Sequence, residues 1–262
     1  MSQDLRNPLD VVSEFISVKQ TPQWIIKESS LPWLELDLQA PYEKLYNEIV
    51  SQKDKLIEFC SNIPKDAISA QCRARESKRH NVTHCVDKWK FITLWGVDSH
   101  IVDNVYNYPE LAGKENKHKW TDVGLACPEH VKFIEENFKL DDDITIKYAV
   151  LEPGGFLTPH SDALDLSNPN YELSSLTLMT HNPKECNFFF ETFGELPISN
   201  GRLYLLDVDY YHATWNRSNE NRYHLMFLNN REKNTFLDYF KDNTLVQRSY
   251  EKSLANFKAN VS

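Results

Sequence analysis

ITIKYAVLEPGGFLTPHSD, residues 144–162, is the stretch on which the reading of the fold turns. ITIKYAVL (144–151) is β-branched and aromatic, the composition of a strand. Glu152-Pro153-Gly154-Gly155 puts Pro and Gly in type II order, which predicts a turn. Four more strand-like runs follow with turn residues between them: SSLTLM (174–179), NFFFET (187–192), RLYLLDV (202–208) and YHLMFLN (223–229). Short strands in series indicate a sandwich or small barrel.

The pattern upstream is mixed. WLELDLQ (33–39) alternates apolar and acidic residues and predicts a strand with one wet face. Pro41 opens a predicted helix whose apolar stripe is Tyr42, Leu45, Tyr46, Ile49, Leu56 and Phe59. KFITLWGV (90–97) reads as a strand and residues 98–127 as loop-rich. Pro128 begins a short helix through Phe138, with Val131, Ile134 and Phe138 on one face. From Thr235 onward the pattern is helical or frayed. The expected fold is mainly β with flanking helices, in one domain over 1–262. Residues 1–143 form a mixed α/β support and lid, 144–230 the β core, and 231–262 a helical or frayed tail.

Composition narrows the function. The 262 residues carry 29 basic and 38 acidic side chains, net −9. Such a field repels phosphate backbones and anionic membranes, so nucleic acid and membrane partners are not expected. No apolar run approaches membrane-spanning length. Five cysteines, without a C-x-x-C, and an N-terminus lacking an apolar signal region point to free thiols in a reducing compartment, the cytoplasm. The sequons at Asn81 and Asn216 then read as chance.

His160-Ser161-Asp162 is the only H-x-D or H-x-E in the chain. In an extended segment residues i and i+2 point the same way, so His160 and Asp162 can share one metal ion. About one such pair arises by chance with this many histidines, so the pair needs company. His212 follows RLYLLDV, and Arg222 lies ten residues beyond it. Two histidines and a carboxylate leave three adjacent positions open on an octahedral ion, the facial triad of non-haem Fe(II) oxygenases. The planar fork of an arginine grips a remote carboxylate. Metal and arginine together suit a 2-oxoacid dicarboxylate.

These residues, in a β-core, resemble the Fe(II)/2-oxoglutarate dioxygenase superfamily. The finer text is similar to its aspartyl/asparaginyl β-hydroxylase-like branch, in IKYAVLEPGGFLTPHSD (146–162), HNPKECNFFF (181–190) and GRLYLLDVDYYHATWNRSNENRYHLMF (201–227), and more loosely in PYEKLYNEI (41–49) and WTDVGLACPEHVKFIEENF (120–138). The resemblance implies a double-stranded β-helix with iron at one mouth. It implies that His160, Asp162 and His212 ligate Fe(II), and that Arg222 holds the distal carboxylate of 2-oxoglutarate. O2 is the co-reactant, ascorbate a supporting reductant, and hydroxylation of an unactivated C–H accompanies conversion of 2-oxoglutarate to succinate. The best-known β-hydroxylases lack the acidic ligand, so Asp162 departs toward the ordinary triad and disfavours a halogenase. A further Arg and His that precede the Asn182-Pro183 turn in small amino-acid hydroxylases are replaced here by SSLTLM, leaving Ser175 and Thr177 as hydroxyls to contact 2-oxoglutarate. Tyr148 is a further candidate contact. The implied substrate is amino-acid-like or peptidyl.

Other residues compete for roles. His224 shares a strand face with Arg222 and Met226 and rivals His212 as a ligand. Tyr204 either contacts the cosubstrate or fills the barrel, and Trp215 reads as core. The basic island Arg73, Arg75, Lys78, Arg79, His80 is a solvated loop or an anion-receiving lid. The spacing of Cys72, His80, His84 and Cys85 matches no common zinc site. Two other classes stand beside the oxygenase: a non-catalytic metal- or ligand-binding β-barrel, and a cupin-like metalloenzyme that does not use 2-oxoglutarate.

Overall fold

The computed structural model describes residues 6–17, 32–59, 86–102, 108–111, 114–161, 175–191, 193–208, 210–229 and 236–261. Eleven strands join one antiparallel network: β1 (Trp33–Gln39), β2 (Ile57–Glu58), β3 (Val86–Gly96), β4 (Lys119–Trp120), β5 (Ile144–His160), β6 (Ser175–His181), β7 (Cys186–Phe190), β8 (Gly194–Glu195), β9 (Arg202–Leu206), β10 (His212–Asn216) and β11 (Arg222–Asn229).

β5 organises them. Its first half runs between β11 and β3, with Leu151 opposite Arg222 on one side and opposite Trp89 on the other. Its second half pairs with β10, Phe156 opposite Trp215 and His160 opposite His212. The network therefore divides into two layers, β1-β9-β6-β11-β5-β3 and β5-β10-β7-β8. Along the chain the strands alternate between layers: β6 in the first, β7 and β8 in the second, β9 in the first, β10 in the second, β11 in the first. That alternation is a double-stranded β-helix, as the sequence resemblance implied.

The two-residue period of the strands gives the first layer two faces. Tyr148, Val150, Tyr223, Leu225, Leu176, Leu178, Leu203 and Leu205 point outward. They form the larger core with Leu45 and Ile49 of helix Tyr42–Ser51 and with Phe133 and Ile134 of helix Pro128–Asn137. Each such side chain contributes roughly 1.5–3 kcal/mol on burial. The inner face carries Met179, Tyr204 and Leu206, packed against Phe188 and Phe190 of the second layer. Of the candidate site residues, Arg222 lies on this inner face, and His160 and His212 lie on the second layer.

The sequence reading departs from the structure in several places. The helix opened by Pro41 ends at Ser51, because the polar run Ser51–Lys55 interrupts the stripe. Leu56 and Phe59 follow a 3-10 turn at Lys53–Lys55 instead. β3 begins at Val86, and the loop-rich region holds β4 and a short helix, Asp122–Leu125, capped by Thr121. The tail is helical over Phe236–Tyr239 and Leu245–Val261. Glu152–Gly155 does not end a strand: it is the bend inside β5, four residues opposite the single Lys88. Gly154 (φ +75) and Lys88 (φ 52) supply the left-handed backbone that such a bend requires. Asn216 ties the corner, its Nδ2 donating to the carbonyls of Leu151 and Glu220 at 2.9 and 2.7 Å. That amide is fully buried, in keeping with the chance reading of its sequon. Asn81 lies outside the described residues. No helix among those described is long and apolar enough to cross a membrane.

Candidate active site

His160 ends β5 and His212 begins β10, and the two face each other across the ladder with ring centroids 4.2 Å apart. Their surroundings repeat. His160 Nδ1 lies 2.9 Å from the Thr158 carbonyl, and His212 Nδ1 lies 2.9 Å from the Tyr210 carbonyl. A carbonyl oxygen only accepts, so the proton sits on Nδ1 in each neutral ring and the lone pair on Nε2. This is how a metal-ligating histidine is oriented by a backbone group behind it. Phe188 stacks on His212 at 5.2 Å and 13°, which fixes the second ring. Asp162 lies outside the described residues.

Arg222 begins β11 and is 1% exposed. Nη1 donates to Thr214 Oγ1 at 3.0 Å, and Thr214 in turn donates to the Asn187 carbonyl at 2.8 Å. Nη2 meets the Met179 sulfur at 3.6 Å, the guanidinium also interacts with the Cys186 thiol, and Nε has no partner among the described residues. The guanidinium carbon lies 5.9 Å from the Phe188 ring centroid, so Phe188 stands between His212 and the arginine. No carboxylate among the described residues pairs with Arg222. Burial pulls its pKa below the ordinary arginine value, and burial pushes up the thiol of neighbouring Cys186, with Arg222 working against that rise. An unpaired buried cation is costly, and a bound anion removes the cost. The donor set, a guanidinium with an unused N–H beside two imidazoles that present Nε2, fits a chelating dicarboxylate and a divalent metal.

The remaining candidates separate. Thr177 and Ser175 are buried on the inner face of β6, opposite Tyr204 and Leu206. Thr177 Oγ1 donates to the Leu225 carbonyl. The β6 residue that reaches Arg222 is Met179, which sequence reasoning missed although it ends the same SSLTLM run. Tyr148 is corrected: it sits on the outer face, opposite Leu225, away from Arg222. Its hydroxyl bonds His130 Nε2 at 2.7 Å, and burial raises its pKa above the phenol range. His130 Nδ1 lies 2.8 Å from Glu48, whose carboxylate also accepts the backbone N–H groups of Glu129 and His130. Glu48 thus caps helix Pro128–Asn137. Glu48, His130 and Cys127 lie close enough to hold a metal ion, but hydrogen bonds already occupy the first two, and burial pushes the Cys127 thiol up to about 12.

His212, not His224, faces His160. Tyr204 spends its hydroxyl on Pro197 and Ser199, a packing role. Trp215 is half-buried with Arg217 over its ring, so it is not core. The 73–80 island and Cys72, His84 and Cys85 lie outside the described residues.

The family described as aspartyl/asparaginyl beta-hydroxylase matches residues 43–231. The chain belongs to this family. Membership makes it a hydroxylase-type oxygenase, and the match spans every strand from β2 to β11. No curated protein matches the chain. Among solved structures it is similar to a Pseudomonas putida prolyl-4-hydroxylase, at 13% identity and TM-score 0.35 over 86% of this chain and 99% of that one. It is similar to a viral collagen prolyl hydroxylase from Paramecium Bursaria Chlorella virus-1, at 11% and 0.38 over 76% and 96%. A 2OG-Fe(II) oxygenase family oxidoreductase from Burkholderia pseudomallei gives 13% and 0.35 over 55% and 69%. At these TM-scores the likenesses are loose, and the family assignment rests on the family match.

Proposed function

We propose that this chain is an Fe(II)- and 2-oxoglutarate-dependent hydroxylase acting on an amino-acid-like or peptidyl substrate, and that residues 1–262 work as one unit with a lid in the N-terminal half. The observation that carries the reading is the opposed His160–His212 pair, each ring oriented through Nδ1, beside the buried and anion-deficient Arg222.

In this reading His160, Asp162 and His212 hold the iron, and Arg222 holds the far carboxylate of 2-oxoglutarate. When bound, iron and cosubstrate supply the oxidising chemistry: one oxygen atom of O2 enters a substrate C–H, and 2-oxoglutarate leaves as succinate and CO2. The chain's own residues do the rest. Thr214 fixes the guanidinium by accepting from Nη1 while its own proton is committed to Asn187. The Thr158 and Tyr210 carbonyls keep both imidazoles in the ligating tautomer. Phe188 and Met179 wall the arginine with apolar surface, so the bound carboxylate meets little competing water.

Purified protein supplied with Fe(II), ascorbate and 2-oxoglutarate should release succinate, and His160→Ala or Asp162→Ala should abolish the release. Normal turnover in both variants would sink the assignment. Anaerobic protein with Fe(II) and 2-oxoglutarate should show a weak visible charge-transfer band, lost in Arg222→Ala. Tight metal binding without the band would favour the non-catalytic barrel.

A further inference from the structure

Four buried side-chain atoms among the described residues have no hydrogen-bond partner: Arg222 Nε, His224 Nδ1, Trp89 Nε1 and Asn182 Oδ1. The first three share the inner face of the first layer. Trp89, Leu151 and Arg222 form one row across β3, β5 and β11, and Phe91, Ala149 and His224 form the next. Ala149, the smallest side chain of its row, lies between Phe91 and His224, and the Trp89 and His224 ring centroids are 6.1 Å apart. Trp89 also stacks on Phe91 at 5.8 Å. Val102, Phe59 and Met226 complete an apolar wall. The buried Lys147 stands in the following row, its Nζ donating to the Val102 carbonyl at 2.6 Å.

We propose that Trp89 and His224 form a second carboxylate subsite, which takes the carboxylate of a small aliphatic substrate. This deepens the hydroxylase reading above and rests on it for the word substrate. The chemistry follows from the donors. An indole N–H can only donate, so the ligand must offer an acceptor. His224 is 5% exposed, burial first and then the charges of Arg222 and Lys147 lower its pKa, and its partnerless Nδ1 donates when the ring proton sits there. Both side chains lie in a region where, among the described residues, the charges that act on His224 are those of Arg222 and Lys147, which favours an anionic acceptor over a neutral one. The walls of Phe91, Phe59, Val102 and Met226 suit a short alkyl chain. The subsite is separate from that of the cosubstrate. The line from Arg222 to the histidine pair lies along β11 and β10, on one side of β5, whereas Trp89 lies on β3, on the other. Two interstrand spacings, about 10 Å, part the backbones of Trp89 and Arg222.

The test uses the full chain labelled with 15N at tryptophan, the Trp89 indole signal being the one lost in Trp89→Phe. Pentanoate should shift that signal saturably, and 1-pentanol, which lacks the anionic acceptor, should not. The shift should persist in excess 2-oxoglutarate. His224→Leu should weaken pentanoate binding at least ten-fold, while His224→Gln, which keeps a side-chain N–H, should retain most of it. Should His224→Leu not fold, Trp89→Phe, which removes the N–H together with the five-membered ring that carries it, should show the same loss by calorimetry. An unmoved Trp89 signal, an equal shift with 1-pentanol, or loss of the shift in excess 2-oxoglutarate would overturn the proposal. Failure of 2-oxoglutarate itself to bind would instead count against the hydroxylase reading, since the pentanoate titration needs neither metal nor cosubstrate.

Discussion

Arg222 is buried with no carboxylate partner among the described residues, so its contributions to stability and to binding oppose each other. Replacing it with methionine keeps much of the volume and removes the unpaired cation. Arg222→Met should raise the stability of the ligand-free protein by about 1–3 kcal/mol in urea denaturation, since a buried polar group without a partner costs that order. The same variant should lose the rise in melting temperature that 2-oxoglutarate gives the parent. A destabilised variant would mean that the guanidinium is already satisfied. His224 sets a second residue-scale expectation. Its folded pKa lies well below 6.5, chiefly through burial, so the unfolded chain takes up a proton that the folded chain refuses. Stability from this group is fully present above pH 6.5 and declines as pH falls toward the folded pKa, with a limiting slope of about 1.4 kcal/mol per pH unit. Buried His130, also shifted down, acts in the same direction. His224→Leu should flatten the dependence of the urea midpoint between pH 7 and 5 to about half its slope. An unchanged slope would show that His224 does not titrate with folding. The sequence pointed to His160, Asp162, His212 and Arg222 through an H-x-D pair, a distal histidine and an arginine ten residues on; the structure sets His160 opposite His212, and Asp162 lies outside the described residues. The sequence did not flag Trp89 or Met179, because an orphaned indole N–H or a sulfur against a guanidinium exists only after strands far apart in sequence have been laid side by side.

At the scale of an element, β5 joins the two halves of the candidate site. Its bend moves the chain from the layer that carries Arg222 to the layer that carries His212, and five residues beyond Gly155 it delivers His160. The two glycines of the bend are not equivalent. A Cβ on Gly155 would lie 2.8 Å from the Glu152 carbonyl oxygen and 3.1 Å from that of Asp87, both backbone atoms. Gly155→Ala should therefore shift the strand itself, at about 1–3 kcal/mol, and weaken Fe(II) affinity by displacing His160. A Cβ on Gly154 meets only the flexible end of Lys88, at 3.3 Å. Gly154→Ala should cost about 1–2 kcal/mol for its left-handed backbone and leave metal affinity alone. Equal metal affinity in the two variants, read by anaerobic titration, would break the link between bend and ligand. The strong strands were legible for the reason that β5 is: long apolar or β-branched runs report burial on both faces. HATWN was not, because a five-residue strand with one apolar face looks like the loop on either side of it. The same lack of length hid β4 and β8.

Across the whole molecule, charge is distributed against its own average. The chain is −9, yet the charged side chains on the inner face of the first layer include buried Arg222 and Lys147, with no acidic partner for Arg222 among the described residues. Among the described residues, exposed acids in part pair with exposed bases, as in Lys252–Asp37 at 2.6 Å and Arg248–Asp242 at 3.0 Å. The tail helix is fastened to β1 through that Asp37, whose backbone N–H also donates to Ser249 at 2.8 Å. A dicarboxylate approaching the protein thus meets a long-range repulsion that salt screens within about 8–10 Å, and then a short-range attraction in a buried site that salt screens poorly. The two respond differently to ionic strength. Binding through exposed lysines would weaken as salt rises, because screening removes its main attraction. Binding at Arg222 should hold steady or tighten, because screening removes chiefly the repulsion. The dissociation constant for 2-oxoglutarate, measured anaerobically with Fe(II) present, is expected to change by less than about three-fold between 20 and 500 mM NaCl, with any change toward tighter binding. A ten-fold weakening over that range would place the anion on the surface rather than at Arg222.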